Sequence, residues 1–450
     1  MNPKACFTPA FVRRFDGRRI ACAHPSSSSE GRDRATLPSR RSKAVVAAAQ
    51  VFAMAGLVAA LNGCARPEPA RETDNLTSSF IRVETQSIPP DVGILEVVNR
   101  HGDLTIIGSD EDPQSVWRVE ARAASDAVAQ EVASEAVCKT ERAGHVFRIT
   151  VTLPENGRGR RCRSDFAIRV PKWVSVVSVN GFGRTHIADL DGSVDATGEH
   201  GDMTLLRVPG NVRAKTSFAS LTVSNSGPAV LENRHGGIDA QDVHGALDAG
   251  TRFGALHARQ IGGAARLRNY HGGVDVADVD GDCDVWTAFA PLSARNIAGK
   301  ATLRNEHGTI RADETAGGVD ARTSFADIDV SGGGPAFLCR NEHGSIRIRA
   351  TEAVATIDAQ TRFGLLELDV PDGFEPAIHA HAGFGGIESD LPVLMKPRSA
   401  DPFEGVPGDK ARILLRNQNG DVRIRRIQRP ASNVEHPAPG TRLVVQGGGS

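Results

Sequence analysis

One position, recurring about every 18 residues and filled alternately by Phe and His, constrains the fold of this 450-residue chain more than any other feature. The series runs Phe182, His200, Phe218, His235, Phe253, His271, Phe289, His307, Phe325, His343 and Phe363. Phe sits in Thr-x-Phe-Gly/Ala, as in Thr251-Arg252-Phe253-Gly254, and His in Asn-x-His-Gly, as in Asn305-Glu306-His307-Gly308. Three residues after most of these rings, from Phe218 on, comes an aliphatic, such as Leu256, Ile310 or Ile328. A beat this regular belongs to a chain winding over itself in coils of constant length.

Two coil flavours alternate, so similarity is strongest at about 36 residues. Period-two patterning marks half-buried strands in both. Ala301, Leu303 and Asn305 share one face, while Thr302, Arg304 and Glu306 share the other. A second short strand follows the Gly, as in Thr309-Ile310-Arg311-Ala312. The expected fold is therefore all-β, a single-stranded β-solenoid or β-helix with about 18 residues per coil. Its first coil lies near Val97–Gly102 and its last follows Leu415–Gly420.

The ladder admits two readings. In the first, the rings pack the corners, while Asn233, Asn269, Asn305 and Asn341 pair with turn backbone. In the second, the rings face outward as a stripe for a glycan or other flat polymer. Corner packing is the expectation. A metal shared between ladder His is excluded by spacing, because successive His stand two strands apart, about 9.6 Å, whereas two nitrogens on one zinc lie within about 4.2 Å.

Residues 1–63 carry ten Lys/Arg against three Asp/Glu, and the rest 43 against 51. The larger part is thus mildly acidic, which argues against nucleic acid as a partner. The basic start leads to an apolar run from Ala44 to Leu61 and then Leu61-Asn62-Gly63-Cys64, so 1–63 reads as an export signal. The stretch resembles a bacterial lipoprotein signal, which implies lipidation of Cys64. A retained single-span anchor and simple secretion are the alternatives. Residues 64–85 are expected to be a flexible tether, 86–427 the solenoid and 428–450 a disordered tail. Within the solenoid, 109–175 reads as a small α+β cap, with a helix capped by Ser125 and a hairpin of strands near 146–154 and 163–170. Residues 372–410 lose the beat, gain prolines and read as an irregular C-terminal cap over exposed strand edges.

Cys138 and Cys162 flank that hairpin and are candidates for a disulfide in an exported protein. Cys283 and Cys339 fall at positions held elsewhere by aliphatics and read as inert core thiols. The acidic run Asp275, Asp278, Asp280, Asp282 and Asp284 is expected on outward strand positions, not as a calcium site. The basic groups Arg158, Arg160, Arg161 and Arg163, and Arg423, Arg425 and Arg426, are read as solvated turns. No catalytic, cofactor-binding or metal motif is present in the sequence.

Units of aliphatic–Asn-x-His/Asn-Gly-x-aliphatic stand at 97–104, 231–238, 267–274, 303–310, 339–346 and 415–422, with Cys339 replacing one aliphatic. With the strand Asp165–Lys172 before the main stack, they resemble the bacterial putative-adhesin family, a β-solenoid domain of unknown function. The resemblance covers roughly 90–427 and implies the fold, with no catalytic or ligand residues to carry over. The expected role is a non-enzymatic adhesin or scaffold, anchored in the bacterial cell envelope through lipid, whose partner is an envelope protein or a polysaccharide. A carbohydrate-active enzyme on a β-helix scaffold and an envelope-stress sensor are the alternatives.

Overall fold

The structure, a computed structural model, describes residues 76–157, 159–394 and 401–427. The export signal with Cys64, the first part of the tether and the tail from 428 lie outside the described residues. The molecule is a β-solenoid built from two sheets of 17 strands each. Each central coil gives one strand to each sheet. Ala301–Asn305 joins what we call the motif sheet, and Ile310–Thr315 the return sheet. The turn between these strands carries the Phe or His.

Pairing between successive coils is parallel. In the motif sheet Val176, Val194 and Val212 are register partners, then Ala229, Leu247, Ala265, Cys283, Ala301, Val319 and Phe337. Inward positions alternate as the sequence predicts: Ala301, Leu303, Ile310 and Ala312 are buried. Burying each large aliphatic of this kind stabilises the stack by roughly 1.5–3 kcal/mol. Cys283 and Cys339 take the core positions expected of them.

Return strands break strict alternation near their ends. Eight described non-glycine residues, Asp189, Arg207, Asn225, Asp242, Gln260, Asp278, Asn296 and Glu314, have φ between +52° and +60°. Five of the eight are Asn or Asp, the types that tolerate this left-handed conformation best. Each kinks its strand by one residue without shifting the register, so the next residue, such as Ile261 or Ile297, turns back into the core.

Coil closure depends on a side-chain clamp. Asn305 Nδ2 donates to the carbonyls of Ala290 in the preceding coil (2.8 Å) and Thr309 in its own (3.4 Å), and its Oδ1 accepts from the Gly308 N–H (2.9 Å). Asn233, Asn269, Asn341 and Asn417 bond turn carbonyls in the same way. In the coils of Phe253, Phe325 and Phe363 a Thr hydroxyl takes this place, as Thr323 Oγ1 donates to the Gly308 carbonyl at 3.2 Å, whereas the Thr216 and Thr287 hydroxyls have no partner among the described residues. The motif Gly is required by close approach, since a Cβ on Gly308 would stand 2.2 Å from the Ala290 carbonyl oxygen.

Both ends depart from sequential stacking. The coil of Ile94–His101 and Leu104–Gly108 meets Ser175–Phe182 and Thr185–Ala188 on its inner side. On its outer side lie Val146–Thr152 and Arg160–Val170. The expected 146–154/163–170 hairpin is therefore corrected. These segments belong to different sheets, because both continue the parallel stack by one more coil. Their outer edges are then closed by antiparallel partners: Val137–Ala143, Gln114–Ala123 and finally Ser78–Ser87. Ser78–Ser87, expected largely within the tether, is instead an alternating strand with a partner. A helix, Asp126–Glu135, is capped by the Ser125 hydroxyl, which accepts from Val128 N at 3.4 Å. It buries Ala129, Val132 and Ala133, and Val128 is left outside.

At the other end Arg412–Asn419 is inserted between Thr356–Phe363 and Ala377–Ala382. Val422–Ile427 is likewise held between Leu366–Pro371 and Ile387–Ser389. Part of the expected irregular cap, 377–389, is thus a coil, and it lies beyond the coil that follows it in sequence.

The candidate disulfide is not formed: Cys138 and Cys162 are both free thiols. Cys138 pairs across its strand with Val151 in the motif sheet, and Cys162 with Ala121 in the return sheet, so the cysteines are not cross-strand neighbours. Burial pushes both thiols up to about 11, and those of Cys283 and Cys339 to about 12.

Two outcomes follow for stability and thiol chemistry. Asn305→Ala strips a bond from the Ala290 carbonyl and should cost about 1–3 kcal/mol in denaturant unfolding, against about 0.5 or less for exposed Glu306→Ala; equal effects would reject the clamp. Iodoacetamide on the native protein should leave Cys283 and Cys339 unlabelled, and non-reducing mass analysis should find no Cys138–Cys162 bridge; a mass lower by two hydrogens at that pair would refute the free thiols.

Candidate functional site

The bend after the clamp position turns each ring outward, including His200, which follows Gly198, and Phe218 and Phe289, which follow Thr216 and Thr287. Where an Asn or a bonded Thr stands at that position, its side chain fills the inside of the turn and leaves the outside to the ring two positions later. Corner packing is therefore corrected: the Phe rings lie on the surface, from 41% exposed at Phe363 to 54% at Phe325. Alternation counted from Asn305 would have placed His307 inside. The three-residue bend 306–308 interrupts that count.

The rings form one column. From His101 through Phe182 to Phe363, each is stacked on the next, with centroids 4.5–5.2 Å apart and planes within 6–17°. His101 is a twelfth member that interval counting missed, because residues 109–174 separate its coil from the next. The signal was present in Asn99-Arg100-His101-Gly102, which matches the motif. The column stops where Asn419 is the register partner of Phe363. Phe384, 83% exposed, lies on the coil beyond, and its N–H donates to the Gln418 carbonyl at 2.9 Å.

Stacking determines what the column can touch. Each ring's faces are covered by its neighbours, so only its edge meets solvent. Aromatic edges carry the positive side of the ring quadrupole, and imidazole edges add N–H groups. The ridge therefore favours an acceptor-rich partner and offers no open ring face. Between His200 and His235 lies the Phe218 ring, 4.5 and 4.8 Å from them, so the ladder His do not approach one another. Burial, with Arg100 alongside, holds the His101 imidazole below its ordinary range.

Beside the ridge, the outer face of the motif sheet carries three open grooves of about 990, 640 and 500 Å³. The sequence reading missed the aromatic pair there. Tyr270, the chain's single Tyr, meets His271 edge-on at 4.7 Å and Phe289 at 5.6 Å, and lies 5.8 Å from Trp286 at a 40° tilt. These two rings stand out of the column. An aromatic at a position otherwise filled by small or polar residues, as at Arg252, Ala288, Ser324 and Glu342, was the available signal.

The charged clusters are engaged with neighbouring coils. Asp275 meets Arg259 and Arg295, Asp278 accepts from Asn296, and Asp282 accepts from the Lys300 N–H. Asp284 lies 3.9 Å from Arg266. Arg163 bridges Asp103 and Asp165, and Arg160 faces Glu135; Arg158 lies outside the described residues. Arg423, Arg425 and Arg426 pair with Glu388, Glu367 and Asp372.

No family model matches the chain, and no curated protein matches it. Among solved structures it is similar to a putative cell adhesion protein from Clostridium sporogenes ATCC 15579, at 10% identity, over 77% of this chain and 100% of that one. The TM-score is 0.17, and a superposition this loose carries no argument about function.

Proposed function

We propose that the chain is a non-enzymatic binding module of the bacterial cell envelope, an adhesin or scaffold that holds an extended polymer, a polysaccharide or a protein, along its ridge. The observation that carries this reading is the continuous column of twelve rings with outward edges. A contiguous exposed aromatic stripe of this length is the kind of surface that marks an interaction site. Edges repeating at the strand spacing suit a partner that is itself periodic. The envelope assignment rests on the apolar run and Leu61-Asn62-Gly63-Cys64, with lipid on Cys64 as the anchor.

Affinity electrophoresis of the full chain through a panel of envelope polysaccharides tests the ridge. At least one polymer should retard the protein, and Phe218→Ser with Phe325→Ser should weaken that retardation about tenfold or more. Unchanged retardation in the double variant would reject the ridge, and cleaved polymer in product mass analysis would favour an enzyme. For the anchor, palmitate labelling in a bacterial host should vanish in Cys64→Ser; label that persists would place the lipid elsewhere.

A further inference from the structure

We infer that the junction of Tyr270 and Trp286 is a subsite for a carboxylated glycan, a polymer of uronic acids; this rests on the polymer-binding reading of the ridge and names a ligand class beside it. Trp286 projects from the outer face of the motif sheet, and its register partners on the two flanking strands are Arg268 and Arg304. Both arginines are exposed, and neither side chain has an ion-pair or hydrogen-bond partner among the described residues. Their neighbours in the same row differ. Arg322 is held by both oxygens of Asp320, at 3.0 and 3.1 Å, and Arg340 by Asp358. The indole thus has an unpaired guanidinium on each side, two strands apart, or about 9.6 Å.

Ring orientation adds the second half of the argument. Within the column every ring face is covered, but Tyr270 stands at 78° to His271 and Trp286 at 40° to Tyr270, so both are free of the stack. Tyr270 is 44% exposed. Ala288 occupies on the next coil the place that Tyr270 holds on its own, which leaves room for the phenol to lean over Phe289. Trp286 lines both the 640 and the 500 Å³ groove, so a chain lying across the strands would pass over it. A pyranose presents an apolar C–H face to an indole, and a carboxylate matches a guanidinium fork with two parallel bonds. An extended uronate chain supplies both, with carboxylates that recur along its length as the arginines do across the strands. Single-stranded nucleic acid also stacks on aromatics, but it calls for a basic groove that follows its backbone. Here two unpaired arginines flank one indole on a chain of net charge −1.

The test uses the full chain with polygalacturonate, its methyl-esterified form and poly-dT, by affinity electrophoresis and calorimetry, with thermal melting to confirm that each variant is folded. Polygalacturonate should bind, and Trp286→Ala and the pair Arg268→Gln/Arg304→Gln should each weaken it about tenfold or more. Trp286→Phe should retain most of the affinity, and the esterified polymer should bind weakly. Failure to bind polygalacturonate, equal affinity for the ester, or tighter Trp286-dependent binding of poly-dT would each overturn the subsite. If Phe218→Ser/Phe325→Ser abolishes polymer binding while Trp286→Ala leaves it intact, the ridge stands and the subsite falls. The converse pattern leaves the subsite standing without the ridge.

Discussion

The bond from an Asn amide in one coil to a turn carbonyl in the coil before it is the contact on which the rest of this molecule depends. Backbone ladders alone would hold parallel strands together, but they do not fix where each coil turns. Asn305 does both at once, because its amide reaches the Ala290 carbonyl and its oxygen holds the Gly308 N–H. Buried and bonded in this way, the side chain occupies the inside of the bend. The Gly that follows can then approach the neighbouring coil, and the residue between them has only the outside to occupy. The clamp recurs often enough to hold the register for the coils between, such as those of His200 and Phe289, which stack in the same column without it.

Much of this was legible in the residues. The Phe/His beat gives the coil length, period-two patterning gives the buried set, and Asn two positions before His gives the clamp. Cys283 and Cys339 could be placed by alignment with aliphatics. Ring orientation could not, because the strand rule was carried through a bend where alternation does not hold. The left-handed kink at Asp278 or Asn296 is a backbone conformation, with only a weak preference for Asn and Asp to announce it. Tyr270 and Trp286 lie sixteen residues apart and meet because stacking brings adjacent coils together, a distance that a motif search does not bridge.

The ends were the least legible part, and the reason is physical. A local pattern identifies a strand but not its partner when that partner is distant in the chain. Thr356–Phe363 pairs with Arg412–Asn419 across a loop that contains another whole coil. At the opposite end the stack changes from parallel to antiparallel, and Ser78–Ser87 becomes the outer strand of the return sheet. An antiparallel edge does not offer the next parallel coil the pairing geometry it needs, which limits end-to-end growth.

The interposed coil near the C-terminus also sets an order of events. Central coils pair with neighbours about 18 residues away and can form as soon as the next turn of chain is available. Ala377–Ala382 pairs on one edge with Val393–Leu394 nearby, but on the other it meets Arg412–Asn419, which comes later in the chain than it does. The far end of the stack is therefore complete only with the last described strand, Val422–Ile427, which lies between Leu366–Pro371 and Ile387–Ser389. Loss of that final stretch would therefore unpair two coils at once, the one before it and the one beyond it.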